Sequence, residues 1–324
     1  MTERLFPRRG TVVPPDAATI PAAGPSSRRI VSAAGRLDSC VGRLRRSGGD
    51  PTHRRTGDVW WRASVTPLGP VLLRLCDDGP DVEVTAWGEG CRWALDQVPR
   101  LLGCHDEADF HPSHPLLKAL VRRHPSLRVG ATDLVCESLL PAVIEQKVTG
   151  AEAFRSIARL TRRYGQPAPG PARVVGHPAD GMVLPLTAAQ WAAVPSWEYL
   201  TAGVEQKRSA TVVAAARRAS ALERVTQRPD PDSALRSLPG IGPWTAARVR
   251  QQALGDPDAW SIGDYHVPRA ISFALCGEEL DDDGCAELLE PFAGHRYRVE
   301  LLLAHGGDRR ERRGPRRSLP THLP

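Results

Sequence analysis

Apolar and polar residues alternate along this chain in two regimes. Between residues 59 and 86 the apolar positions come in short β-branched runs: Val59-Trp60-Trp61-Arg62-Ala63-Ser64-Val65, Val71-Leu72-Leu73-Arg74-Leu75 and Val82-Glu83-Val84-Thr85-Ala86. Pro-Leu-Gly-Pro and Asp77-Asp78-Gly79-Pro80 separate them, which predicts a short antiparallel meander. Trp93, Leu95, Val98, Leu101 and Leu102 then predict a helix packed on it. Together they make a small α+β domain over 56–104.

From 105 to 304 the period becomes helical and the expected fold is mostly α. Leu134, Leu139, Leu140, Val143, Ile144 and Val148 mark one helix, and Ala153, Phe154, Ile157 and Leu160 mark a second that starts near Gly150. A Pro/Gly-rich loop spans Gly165 to Pro185, and further helices are expected around Trp191–Leu200 and from Gly203. The last three cover about 268–276, 285–289 and 296–303. Residues 1–55 show little periodicity and carry Pro-Pro, Gly-Gly, Ser-Ser and Arg-Arg pairs, so an Arg-rich disordered tail is expected there. Residues 305–324 form a basic C-terminal tail.

One stretch interrupts the helical pattern with unusual density of turn residues: Leu238-Pro239-Gly240-Ile241-Gly242-Pro243-Trp244-Thr245-Ala246. Gly-Ile-Gly predicts a tight turn that uses positive φ, with a helix starting directly behind it. Amide N–H groups at such a start lack intrahelical partners and meet the positive end of the helix dipole, which suits a phosphate. Ala234, Leu235 and Leu238 before the turn, and Ala246 and Val249 after it, are placed to clamp two short helices together. Twenty residues beyond Trp244 stands Asp264, within Trp260-Ser261-Ile262-Gly263-Asp264-Tyr265-His266-Val267-Pro268.

The hairpin followed at this distance by an aspartate resembles the helix-hairpin-helix DNA glycosylase superfamily, and within it the 3-methyladenine DNA glycosylase II family that excises alkylated bases. The resemblance covers roughly residues 58 to 303. It implies Asp264 as the catalytic carboxylate, whose alternative reading is a helix N-cap. It implies Trp244, Tyr265 and Phe292 as walls of the base pocket, and Leu238, Gly240, Ile241, Gly242 and Thr245 as the DNA-binding hairpin. The turn after the first core helix, Leu140 to Thr149, places the family's DNA wedge on Lys147 with Gln146 beside it. A lysine departs from the apolar wedge of the family's best-known example. Pro291-Phe292-Ala293 departs from the family's Pro-Trp-Arg, which puts a smaller ring at that wall.

Lysine usage bears on mechanism. The chain has three, Lys118, Lys147 and Lys207, against forty arginines. The bifunctional relatives that the resemblance brings with it use a Schiff-base lysine in the hairpin, where this chain has Trp244. Neither tryptophan nor a protonated guanidinium supplies an amine nucleophile. The expected activity is therefore that of a monofunctional glycosylase: base flipping, hydrolysis of the N-glycosidic bond by water, and an intact abasic site. Two other readings stay open, a glycosylase for deaminated or oxidised bases and a non-catalytic helix-hairpin-helix DNA-binding protein.

Charge adds less than its total suggests. The net +6 divides into +7 over residues 1–55, from eleven arginines against four acids, and +4 over 305–324, from six arginines against two acids. The remainder is about −5, so the basicity sits in the ends and supports only a salt-sensitive contribution from the tails. Lys207 and Arg208 open a helix, where phosphate contact and solvation are equal alternatives. His105, His111, His114 and His124 lie in a Pro-rich context without an i, i+4 pair and read as loop histidines rather than metal ligands. Seven scattered cysteines, without a C-x-x-C, read as small buried hydrophobes and argue against zinc or an iron–sulfur cluster. No metal or cofactor is expected. The expected partner is double-stranded DNA containing damaged bases, bound by a monomer with no membrane segment, in a bacterial-type cytoplasm at the nucleoid.

Overall fold

The computed structural model describes residues 27–107 and 109–306. Five strands, β1 (Ser27–Val31), β2 (His53–Thr56), β3 (Val59–Thr66), β4 (Gly69–Asp78) and β5 (Asp81–Trp87), form one antiparallel sheet in the order β1-β5-β4-β3-β2. Trp60 lies opposite Leu75 and Leu75 opposite Val84, and these residues share a buried row. That face packs against α1 (Leu37–Cys40) and α2 (Cys91–Leu101). The other face, with Trp61, Ala63 and Leu72, packs against Ala168, Ala172, Met182 and Leu184 of the long loop. Burial on both faces explains why β3 reads as an almost continuous apolar run instead of an alternating one.

The expected disordered tail is corrected here. Residues 27–56 supply both edge strands and α1, and Val31, Leu37, Cys40, Val41 and Leu44 are buried in the sheet's core. Their apolar positions are sparse, the strand partner of β1 lies far along the chain in β5, and β2 is a short run of His, Arg and Thr, so local period carried no signal for them. Residues 1–26 and 307–324, where the rest of both expected tails falls, lie outside the described residues.

The helical region divides between two cores. After α3 (Pro115–Arg123), one core is built from α4 (Val135–Glu145), α5 (Gly150–Tyr164), α6 (Ala188–Ala193), α7 (Ser196–Thr201), α8 (Gln206–Ala216), α9 (Ala219–Glu223), α10 (Pro231–Arg236) and α11 (Pro243–Val249). The chain then returns to α3 through α12 (Val267–Cys276), α13 (Asp282–Leu289) and α14 (Arg296–Gly306), which close the other core around Leu117, Leu120, Ile271 and Leu302. Thr149 and Glu152 form a capping box that starts α5 directly after the turn that ends α4.

Polar groups join these bodies. Arg62 Nη2 donates to Glu137 Oε1 of α4 at 2.6 Å, and Ser64 Oγ donates to Glu137 Oε2 at 2.5 Å. Arg43 donates to the carbonyl of Gln251 at 3.0 Å, to Tyr297 Oη at 3.3 Å and to the carbonyl of Gly130. Cys40, Cys91, Cys136 and Cys285 are buried as expected of small hydrophobes, whereas Cys104 and Cys276 are exposed and Cys76 is half-buried; all seven are free thiols. His114 is paired with the Leu275 carbonyl at 3.0 Å, and His111 pairs with Asp109 at 2.9 Å. Among the described residues no group of three or more His, Cys, Asp or Glu is arranged to hold a metal ion. No helix among them is long and apolar enough to cross a membrane.

Candidate active site

The hairpin joins α10 to α11. Leu235, Ala246 and Val249 are fully buried in the core they share, with Ile241 at its edge and Leu238 packed against it. The two glycines differ. Gly240 has φ +86°, and a Cβ there would lie 2.8 Å from Thr211 Oγ1 of α8. Gly242 is extended, at φ −94° and ψ −179°, with open space around it, so only the first glycine needs the positive φ that the sequence suggested for the turn. The N–H groups of Gly242, Trp244 and Thr245 have no acceptor among the described residues.

The turn after α4 is tied to the hairpin. Gln146 Nε2 donates to the Gly240 carbonyl at 3.0 Å and to Thr245 Oγ1 at 2.8 Å. These bonds use both hydrogens of the Gln146 amide nitrogen and make the residue a brace between the two elements. Lys147 is the exposed tip, at φ +57°. Arg208 is corrected from possible phosphate contact to brace: it is buried and donates to the Ile144 carbonyl at 2.5 Å, near the C-terminus of α4 where a cation is favoured. Lys207 stays exposed.

Beyond α11 the helix widens into one π turn, Arg250–Leu254, that ends at Gly255 in the left-handed region. Buried Gln251 reaches from this turn to the Ala259 carbonyl at 2.7 Å and to Ser261 Oγ at 3.0 Å. From α14, Glu300 accepts both the Ser261 N–H and the Ser261 hydroxyl, each at 2.8 Å. The loop 260–264 is thus gripped from two sides just before Asp264.

Asp264 is partly buried, and both of its oxygens are engaged. Oδ1 accepts the N–H groups of His266 at 2.8 Å and Val267 at 3.0 Å, at the start of α12. Oδ2 accepts Trp244 Nε1–H at 3.2 Å, which joins the hairpin to the aspartate twenty residues away. One side chain thus accepts N–H groups at the start of α12 and the indole N–H of the hairpin together. Tyr265 is 56% exposed, with the Arg269 guanidinium 4.5 Å from its ring centroid. One ring face is thus occupied by a cation. Phe292 is 8% exposed and packs edge-on to Phe110, centroids 6.2 Å apart, in the core around α3. It is core packing, and its expected place in the base pocket is corrected.

Glu300, Gln251 and the π turn were not found from sequence, and no residue pattern marks them. Burial, with the neighbouring negative charge of Asp264, pushes the Glu300 carboxyl up to about 7, against the opposing effect of the Ser261 bonds and Arg248.

A hairpin braced to the end of a core helix and hydrogen-bonded to an aspartate at the start of the next helix, beside a small sheet, is an arrangement whose overall fold is shared with solved DNA glycosylases. Over 86% of this chain and 97% of that one, it superposes on the 3-methyladenine DNA-glycosylase from Archaeoglobus fulgidus with a TM-score of 0.71 and 20% identity. The 8-oxoguanine glycosylase/lyase of Clostridium acetobutylicum, in complex with double-stranded DNA containing cytosine opposite 8-oxoG, shares the fold with a TM-score of 0.58 and 14% identity, over 80% of this chain and 89% of that one. In sequence, 223 residues are 28% identical to the "Probable bifunctional transcriptional activator/DNA repair enzyme AlkA" of Mycobacterium tuberculosis, which is 66% of this chain and 42% of that one. The chain thus spans less than half the length of these curated relatives. No protein-family model matches it. In sequence and in fold the chain is thus similar to 3-methyladenine DNA glycosylases, the proteins that its hairpin and Asp264 resemble.

Proposed function

We propose that this chain is a monofunctional DNA glycosylase that flips an alkylated purine out of duplex DNA and hydrolyses its N-glycosidic bond. The observation that carries the reading is Asp264, held by three N–H donors within reach of the hairpin. Breaking the bond builds positive charge on the sugar, and a carboxylate fixed in advance stabilises that charge without reorganising. The same group can orient or deprotonate the attacking water. A protein that only bound DNA would have no use for a carboxylate beside a phosphate path, where it repels the ligand.

The hairpin supplies the phosphate contact through its free N–H groups, and Lys147 is the wedge that fills the stack behind the flipped base. Trp244 is the stacking wall, its ring edge anchored by Asp264 and its face attractive to a cationic alkylated base. Tyr265 offers a second, more exposed ring. Trp244 also stands where a lyase would carry its amine, which supports hydrolysis without strand cleavage. Water is the only co-reactant this chemistry needs, and one chain carries the whole site, so the protein acts as a cofactor-free monomer at the nucleoid.

The test is excision on end-labelled duplexes bearing a methylated purine, hypoxanthine or 8-oxoguanine, each sample divided between hot alkali and none. Cleavage of the methylated duplex only after alkali is the expected result. Asp264→Asn keeps the capping oxygen and should slow single-turnover excision by a factor of about a hundred or more. Undiminished excision by that variant would overturn the mechanism, and strand cleavage without alkali would overturn its monofunctional character. Preference for 8-oxoguanine would reassign the lesion class.

A further inference from the structure

Apart from the hairpin, the strongest unassigned feature is a groove along α5. It is open, about 760 Å³ in volume, and four guanidiniums line it: Arg155, Arg159, Arg162 and Arg163. No acidic side chain lines it. Arg163 is neutralised by the buried carboxylate of Glu198. The other three are not. Arg159 donates to the Thr201 carbonyl at 2.8 Å, Arg162 donates to the Gly49 carbonyl, and Arg155 has no partner among the described residues. Bonds to neutral carbonyls hold two of these groups in place without cancelling their charge.

Their spacing is regular. At 100° per residue, positions 155, 159 and 162 fall within an arc of about 60°, a single stripe down the helix. The stripe is about 10 Å long, at 1.5 Å of rise per residue. A strand of B-form DNA presents about three phosphates over the same length, one per 3.4 Å. Guanidinium forks match phosphate oxygens in geometry as well as in charge. The groove also lies near the candidate DNA contact along the chain, since Ala151, one of its lining residues, follows Lys147 by four positions.

We propose that this arginine row binds the phosphate backbone of duplex DNA flanking the hairpin. The inference rests on the DNA-binding reading above and adds a second contact surface to it, away from the chemistry. An acidic peptide would satisfy the charge, but it lacks the fixed phosphate repeat that a helix-borne row of three guanidiniums can follow.

The test compares wild type with the double variant Arg155→Ser/Arg159→Ser. A control double variant, Arg92→Ser/Arg122→Ser, removes the same charge from exposed sites elsewhere. Affinity for a lesion-free duplex of about 24 bp is measured as a function of salt. Two lost phosphate contacts should make the slope of log K against log salt shallower by about 1.8 and weaken low-salt binding about tenfold. The control should move neither beyond its small effect on bulk charge, and thermal melts should show all three proteins folded. A groove variant indistinguishable from the control would overturn the proposal. So would retained duplex affinity with lost binding of a polyglutamate peptide, which would make the groove a site for an acidic protein. A wild type with no duplex affinity would sink this proposal and the DNA reading together. The Asp264→Asn excision comparison separates the remaining cases, since the groove takes no part in bond breaking.

Discussion

Gly240 and Gly242 stand two residues apart and answer to different physics. At Gly240 an L side chain meets both a left-handed backbone and the Thr211 hydroxyl. Gly240→Ala should therefore destabilise the fold by about 1–3 kcal/mol, read as a lower urea midpoint. Gly242 has ordinary backbone angles and open space at its α-carbon. Gly242→Ala should leave stability within about 0.5 kcal/mol of wild type, while its methyl group intrudes where a phosphate would approach and weakens duplex binding several-fold. Equal effects of the two substitutions on stability would contradict this division. Side chains divide in the same way. Trp244, proposed above as a stacking ring, also donates to Asp264, and only the proposed role was readable from its residue type.

At the scale of elements, the site depends on a loop that three helices hold from behind. The π turn after α11 turns Gln251 toward Ser261, α14 brings Glu300 to the same serine, and α12 begins where Asp264 caps it. Because the Glu300 carboxyl is raised to about 7, the folded protein keeps a proton there that the unfolded chain has released. Stability from this group is full below the ordinary carboxyl value of about 4.5 and falls as pH rises from there to about 7. The loss is on the order of 3 kcal/mol. Glu300→Gln does not titrate, so urea midpoints taken between about pH 5 and about pH 8 should show a flatter pH dependence than wild type. A parallel pair of profiles would refute the assignment.

These elements also mark the limit of what the sequence disclosed. The meander, the helix after it, the hairpin and the Asp264 segment were legible because each is written in local signals: alternation, helical period and turn residues. The Ser261 grip was not, since it pairs residues 39 positions apart whose types are common anywhere. Phe292 misled for the reverse reason. A ring near a family motif looks like a pocket wall, and only packing against Phe110 shows which side of the wall it occupies.

On the scale of the whole molecule, the sheet and the two helical cores meet at polar rather than apolar seams. His53 lies at one of them, 3% exposed, its Nδ1 2.9 Å from Thr52 Oγ1 and its Nε2 without a hydrogen-bond partner among the described residues. It borders a cavity of about 30 Å³ that Glu137 and Gln252 also line, room for a single water. Burial holds the imidazole well below its ordinary pKa, despite the nearby Asp50 carboxylate. Charge takes a different form at this scale, since residues 27–306 are close to neutral in sum, at about +1, yet concentrate three unneutralised arginines on one face of α5.

The N-terminal segment has a further consequence. Both rims of the sheet come from it, β1 laid on β5 and β2 laid on β3. A protein shortened to begin near residue 57 would keep its hairpin, its aspartate and most of its apolar interior. It would also carry two long strands with bare N–H and C=O rows, ready templates for another molecule. Its failing should therefore be colloidal before it is catalytic: light scattering after size exclusion should find self-associated species where the full chain gives one discrete peak.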